Sequence, residues 1–437
     1  MRRILTSTIL AASIALTAPA AFGAYTLADA VHLARSSSPD AQIADARVAM
    51  AKAVQSGADS AILPRVELNG SYVQTDSPMN AFGAILNTGT FDNSIDFNSP
   101  GQTDVMTVGL YLRQVIYSGG RVGAGRAAAR AGAEAAEYER QAALSGLDQE
   151  VVRSYYTIRQ AGESVVALEA ALSGYDESLR VAVKREEAGQ LLRTERLNIA
   201  VQRARTQTQL LSARQQVALA KAAFAVLLGM SADSPVELAE NDPGAESIPV
   251  PAVGTPAPDW PELAAMRRRL DASEQQVKIA RSARMPKVGA FASVEENKGW
   301  RRDGDGQNWT AGISVGMTLF DGSETSSRIR EATAALDQTR QQERKVRLAL
   351  ELRLRQARIN HDVAMSQLEV CTSQVEQADE SARLSRERFA AGSLLSAELI
   401  GVETRLADAR VQLAVSRAKE RVALAELRTA LALPILN

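Results

Sequence analysis

The sequence predicts a mainly α protein with a small β part, internally duplicated, in which long coiled helices alternate with four strands per chain. Three observations predict it. The composition is one of helix formers nearly free of aromatics, a set of motifs recurs at fixed spacing, and four segments alternate apolar with polar residues.

Of 437 residues 46% are hydrophobic, yet only 4% are aromatic. A globular core of that size uses more Phe, Tyr and Trp, because each buries so much area. Ala, Leu, Arg, Glu and Gln dominate instead, as in long helices. The 50 Lys and Arg against 51 Asp and Glu leave a net charge of −1, which offers nucleic acid no basic footprint. Cys371 is the only cysteine, so neither an intrachain disulfide nor a Cys-based metal site can form. It falls in a helical stretch and is expected to pack as a small apolar side chain. His32 and His361, the only histidines, lack ligand-like spacing. No metal, cofactor or catalytic site is expected.

Arg2 and Arg3 precede an apolar run from Ile4 to Ala18, followed by an Ala21-x-Gly23 pattern. This is the anatomy of a signal peptide over residues 1–23, and it implies export. Beyond it no run of 18 apolar residues occurs, so membrane entry requires a barrel rather than a helix.

The duplication is the strongest signal. Pro39 and Pro261 open helical stretches that end at Pro64 and Pro286, an offset of 222 in both cases (261 − 39 and 286 − 64). Downstream, Tyr117-Ser118-Gly119 matches Phe320-Asp321-Gly322, and Ala188-Gly189-Gln190-Leu191-Leu192 matches Ala391-Gly392-Ser393-Leu394-Leu395, both at 203 (320 − 117 and 392 − 189). The first copy therefore carries 19 extra residues (222 − 203), within a segment 77–103 whose Asn, Gly, Ser and Asp content predicts a loop. The first repeat spans 24–230, with a helix over 26–62, a β-hairpin over 65–116 and a helical hairpin over 121–229. The second spans 259–437, with a helix over 259–285, a β-hairpin over 287–320 and a helical hairpin over 323–432. A Pro-rich connector, 231–258, separates them and cannot be helical throughout.

The strands are predicted at 65–75, 105–116, 287–295 and 309–320, each long enough to cross a bilayer when tilted. Met106, Val108, Leu110 and Leu112 point one way, and Thr107, Gly109, Tyr111 and Arg113 the other. Ile313, Val315, Met317 and Leu319 repeat the pattern. A membrane barrel alternates in this way, and so does a half-buried soluble hairpin. Four strands cannot close a barrel, so a membrane role requires several protomers to share one, with 8 or 12 strands equally open at this point. Asp303-Gly304-Asp305-Gly306 reads as a polar surface turn, and the Gly-rich run Gly119–Gly125 as a strand-to-helix corner, since it lacks the Gly-Lys-Ser/Thr ending of a phosphate loop.

At about 1.5 Å per residue the long helix, 121–187, reaches roughly 100 Å. The helices 191–229 and 259–285 together nearly match it, as expected of a helical wall that runs down once and returns in two pieces. Val165, Leu168, Leu172, Tyr175 and Leu179 step by three and four, as do Leu399, Val402, Leu406, Ala409 and Leu413, the spacing of packed coiled helices.

These residues resemble the TolC-like outer membrane efflux proteins, the outer membrane factors. Pro64 and Pro286 are similar to the family's proline before each hairpin, and Tyr117-Ser118-Gly119-Gly120 and Phe320-Asp321-Gly322-Ser323 to its barrel-to-helix corner. Arg388-Phe389-Ala390-Ala391-Gly392-Ser393-Leu394 resembles the motif at the tip of its helical hairpins, with Arg185-Glu186-Glu187-Ala188-Gly189 as a weaker first copy. The resemblance implies a homotrimer whose protomers share a 12-stranded transmembrane barrel in outer-membrane lipid, above a coiled-coil helical barrel in the periplasm. It also implies docking through the tips to a periplasmic adaptor (membrane fusion) protein and an inner-membrane pump. The tip and gate residues it marks are Gly189, Leu191, Glu195, Phe389, Gly392, Leu394 and Glu398. Glu195 and Glu398 match an acidic position that faces the lumen. The family's second acidic position is Gly401 here, its basic position is Leu394, and Phe389 replaces a gate tyrosine, so closure is expected to be more apolar. The expected function is a passive exit duct of a tripartite efflux system and not an enzyme. Type I protein secretion, or an exported coiled-coil structural protein, are the alternatives.

Overall fold

The computed structural model describes residues 24–240, 242, 248 and 259–435. The expected signal peptide and most of the connector beyond residue 240 lie outside the described residues. The elements run α1 (Leu27–Ser37), α2 (Pro39–Asp59), β1 (Arg65–Thr75), α3 (Pro78–Asn87), β2 (Thr103–Tyr117), α4 (Arg121–Glu187), α5 (Arg193–Leu227), α6 (Pro261–Ser282), β3 (Lys287–Gly299), β4 (Gly304–Gly316), α7 (Glu324–Ala390) and α8 (Ser396–Ala430). The chain is thus mainly α with one small sheet, and α4 and α7 have 67 residues each. No helix among the described residues is long and apolar enough to cross a membrane.

Three expectations need correction. The helix over 26–62 is two helices, because Ser38 precedes Pro39 and is held extended, at ψ 137°, where the proline ring disfavours a helical residue before it. The segment 77–103 is not all loop. Pro78 sits in the first turn of α3, where its missing N–H costs nothing, and Ala81, Ala84 and Ile85 give that helix a buried face. Strand β4 begins five residues earlier than predicted and ends at Gly316, so Met317 and Leu319 fall beyond it, while β3 extends to Gly299. Gly304, Asp305 and Gly306 consequently belong to a strand, and the polar turn lies before them.

The chain forms two compact units. One comprises Met1–Gln42, Leu144–Pro258 and Arg353–Asn437. Its main core gathers Leu27 of α1, Val151 and Tyr155 of α4, Phe224 of α5 with Leu228 just past its end, and Leu424 of α8. Asp242 accepts the backbone N–H of Leu27 at 2.6 Å and the Tyr155 hydroxyl at 2.8 Å, so a carboxylate ties the start of α1 to the core. Burial, reinforced by the bond to Asp242, pushes the Tyr155 phenol up, and burial, against the opposing charges of Arg421 and Arg159, lifts Tyr156 to about 12. The buried Asp148 accepts Arg35 of α1 through both oxygens. Of the predicted coiled stripe on α4 only Tyr175 is fully buried, and the neighbouring small residues Ala167, Ala171 and Ala182 take the seam. Small side chains let helix backbones approach closely, so the row beside the leucines wins the interface. The stripe on α8 is buried at Leu399, Val402, Leu406 and Leu413. Cys371 is free and half-buried, its sulfur accepting the Ser416 hydroxyl at 3.2 Å.

The other unit comprises Ile43–Ala143 and Asp259–Leu352. Asp59 of α2 and Glu139 and Glu134 of α4 pair with Arg126, Arg269 and Arg268, exposed ion pairs that fix register more than they add stability. Its sheet is antiparallel in the order β1-β2-β3-β4. One bulge, between Val115 and Tyr117, interrupts β2 against β3, bending the strand where it approaches α4.

Candidate functional site

The sheet has two chemically distinct faces. Register places Leu68, Leu110, Val294 and Trp309 in one row and Val66, Leu112, Ala292 and Ala311 in the next. Leu68, Leu110, Val294 and Trp309 are all exposed, Trp309 at 76%. Ile313 and Val315 prolong this apolar face along β4. One residue along, side chains flip to the other face. There Glu67, Tyr111, Ser293 and Thr310 form one row and Ser71, Thr107, Asn297 and Gly306 another. Arg65, Tyr111, Arg113, Ser293, Glu295 and Thr310 are among the residues lining a cavity of about 1660 Å³ on this side. An apolar outside and a polar, concave inside describe a piece of barrel wall and not a half-buried soluble hairpin. Both β1 and β4 are edge strands among the described residues.

The helical tip is built from two turns of one design. After α4, Gly189 takes φ +70°, and after α7, Gly392 takes φ +84°. In each, the next amide closes back onto the helix, Gln190 N–H on Arg185 O at 2.7 Å and Ser393 N–H on Arg388 O at 2.9 Å. This is the Schellman end that favours glycine at the left-handed position. The duplicated sequence thus produces duplicated backbone geometry.

The side chains break the symmetry. Phe389, 1% exposed, packs with Tyr175, Ile199, Leu394 and Leu399 in an apolar cluster that joins the α4–α5 hairpin to the α7–α8 hairpin, with Leu191 partly buried at its edge. The Tyr175 hydroxyl lies 2.9 Å from Thr404 Oγ1 across the same seam. Of the residues singled out from sequence, Phe389, Leu191 and Leu394 are therefore brought together. Gly189 and Gly392 end the long helices. Glu195 and Glu398 are not part of the cluster: Glu195 is half-buried, Glu398 is exposed, and neither forms an ion pair among the described residues. Both sit in the first turn of a helix, where the dipole favours a carboxylate.

Three side chains that join the tip were not singled out from the sequence. Arg185 donates through Nη1 to Phe389 O at 2.7 Å and through Nη2 to Gln190 O at 3.4 Å, and its guanidinium lies 5.1 Å from the Phe389 ring centroid. Glu403, 1% exposed, accepts Arg386 Nε at 2.5 Å and Nη2 at 2.8 Å. The bond to Glu403 raises the Arg386 pKa against the opposing effect of burial. The first copy has Val183 and Ala200 at the matching positions (386 − 203 and 403 − 203). Comparing the copies at offset 203 was the available signal, because a charged pair replacing Val and Ala in one repeat marks a seam used once.

No group of three or more His, Cys, Asp or Glu able to hold a metal occurs among the described residues.

Comparison with known proteins accords with this geometry. The profile of the outer membrane efflux protein family matches residues 30–230 and 259–433, most of the chain. The outer membrane efflux protein BepC of Brucella suis is 25% identical over 242 residues, 54% of this chain and 52% of BepC. The alkaline protease secretion protein AprF of Pseudomonas aeruginosa is 25% identical over 291 residues, 64% of this chain and 60% of AprF. The chain thus spans between half and two thirds of the length of either relative. In fold it is similar to the outer-membrane channel OprN, with a TM-score of 0.79 at 20% identity, covering 94% of this chain and 90% of OprN. Family and fold are those of channel proteins rather than enzymes. The chain belongs to the outer membrane efflux protein family, and its place is the outer membrane.

Proposed function

We propose that the protein is the outer-membrane channel-tunnel of a tripartite efflux system, a passive duct that carries out no chemistry and needs no cofactor. The two-faced, open sheet carries this reading. Unpaired edges are not tolerated in lipid, because nothing there satisfies the backbone. Four strands leave β1 and β4 running in opposite directions, so β4 of one copy can pair with β1 of the next without a parallel joint. The polar face favours three copies. In a barrel of about 8 strands side chains fill the interior, whereas Arg65, Arg113, Tyr111 and Phe291 surround a cavity here. A homotrimer with 12 strands accommodates them.

On this reading residues 1–23 are a signal peptide, 24–230 and 259–437 are two structural repeats, and 231–258 is an equatorial connector. The tip residues Gly189, Leu191, Glu195, Phe389, Gly392, Leu394 and Glu398 gate the duct and meet a periplasmic adaptor, which links it to an inner-membrane pump. Nucleic acid plays no part. Deletion of the gene should sensitise the cell to a panel of toxins, and complementation should restore resistance. Unchanged sensitivity across the panel contradicts efflux. The similarity to AprF, named for protease secretion, favours type I protein secretion as the second reading, and in that case an exported protein disappears from the medium instead.

A further inference from the structure

Helix α3 lies on the polar side of the sheet. A Cβ at Gly306 would meet Asn87 O at 2.2 Å, and one at Gly304 would meet Thr90 Cγ2 at 2.1 Å and Thr88 O at 2.5 Å. Gly304 and Gly306 share their face with Thr310, which lines the cavity. The end of α3 therefore rests on the inner surface of the wall, in space that these glycines leave open. It does so at the loop end of the hairpins, where Arg302 Nη2 donates to Pro100 O at 2.5 Å and the Arg301 N–H to Asp104 at 2.8 Å.

The helix has two apolar faces. Ala81, Ala84 and Ile85 form the buried one. Met79, Gly83 and Leu86, spaced by four and three, form the other, with Met79 82% and Leu86 50% exposed. An uncovered apolar face on the polar side of the sheet needs a partner.

We propose that this face is covered by α3 of the neighbouring copies, so that three α3 helices meet at the barrel axis and form an apolar lid at the outer mouth. The inference rests on the shared-barrel reading above. Twelve strands about 4.8 Å apart and tilted by about 40° give a circumference near 75 Å, and hence a radius of about 12 Å. A helix is itself about 10–12 Å across with its side chains, so α3 standing on the inner wall reaches the axis. Three helices packed about 8–10 Å apart place each one about 5 Å from the axis, leaving about 7 Å to the wall. That is tighter than the usual distance between packed layers, about 10 Å, and the glycines at 304 and 306 permit it. Gly83, beside which no atom lies within 4 Å of a would-be Cβ, leaves the inner face equally open to close approach. The residues that build α3 belong to the 19-residue excess of the first repeat (222 − 203), so each copy brings one such helix and a trimer brings a closed set.

Cysteine cross-linking tests this. Met79→Cys and Leu86→Cys are each made in a Cys371→Ala background, and the detergent-purified protein is treated with a short bismaleimide. Thr310→Cys, on the wall itself, serves as the control. The expected result is that most chains of the two helix variants run as covalent dimers, with the wall control monomeric. Adding Gly306→Val to Met79→Cys should return cross-linking to the control level. Trimers by light scattering that fail to cross-link at either position overturn the lid and leave the shared barrel standing. Protein that is not trimeric overturns the barrel, and the lid with it.

Discussion

Replacing Arg185 by alanine should loosen the tip by an amount the structure sets. The guanidinium makes a charge-assisted bond to Phe389 O and covers the Phe389 ring. A hydrogen bond to a charged group contributes about 1.5–3 kcal/mol, and a cation over an aromatic face about 0.5–1 kcal/mol when solvent is near. Arg185 is half-buried, so the lower ends apply, and the loss is about 2 kcal/mol. The equilibrium between joined and parted hairpins then shifts about 30-fold toward parting, since about 1.4 kcal/mol is a factor of ten. Lysine keeps the charge but loses the planar stacking and the second donor, so Arg185→Lys should give about a fivefold shift. Two assays read this: hydrogen exchange at the amides of Gly392 and Ser393, and open probability in planar bilayers. Both should rise in the order wild type, lysine, alanine. Alanine indistinguishable from wild type in both would mean that the apolar cluster alone joins the hairpins.

Three further outcomes follow from named contacts. Ile313→Arg, on the exposed apolar face of β4, should cost about 2–4 kcal/mol near the bilayer midplane and deplete trimers from the outer-membrane fraction. Thr310→Arg, on the polar face, should not. Glu398→Ala should lower cation preference in bilayer conductance, because carboxylates ringed around a pore attract cations, and unchanged selectivity removes Glu398 from the pore lining. Tyr155→Phe deprives the Asp242 carboxylate of one of its donors and should cost about 1.5–3 kcal/mol, read as a lower Tm of the purified protein; an unchanged Tm would show that Asp242 is otherwise satisfied.

The sequence made the long helices, the duplicated turns and the two faces of β2 legible, because each rests on local periodicity or on glycine at a left-handed position. What it concealed depends on contacts distant in the chain. Helix α3 lies in a segment whose polar content reads as loop, and only its packing on the wall makes Ala81, Ala84 and Ile85 a buried face. Gly304 and Gly306 look like turn residues, yet they are strand residues kept small for the backbone of 87–90. At the tip, Gly189 and Gly392 could be read from the repeat, and Phe389 from the family resemblance. Arg185 and the Arg386–Glu403 pair could not be assigned roles, because their partners lie on another helix. Glu195 and Glu398 were equally visible, and in one protomer they stand outside the apolar cluster.

The most direct test of the shared barrel is the mass of the detergent-extracted outer-membrane protein, by size exclusion with light scattering. Three copies per particle are predicted, closing 12 strands into one wall. A monomer or dimer would contradict it, because four or eight strands do not make the 12-stranded wall.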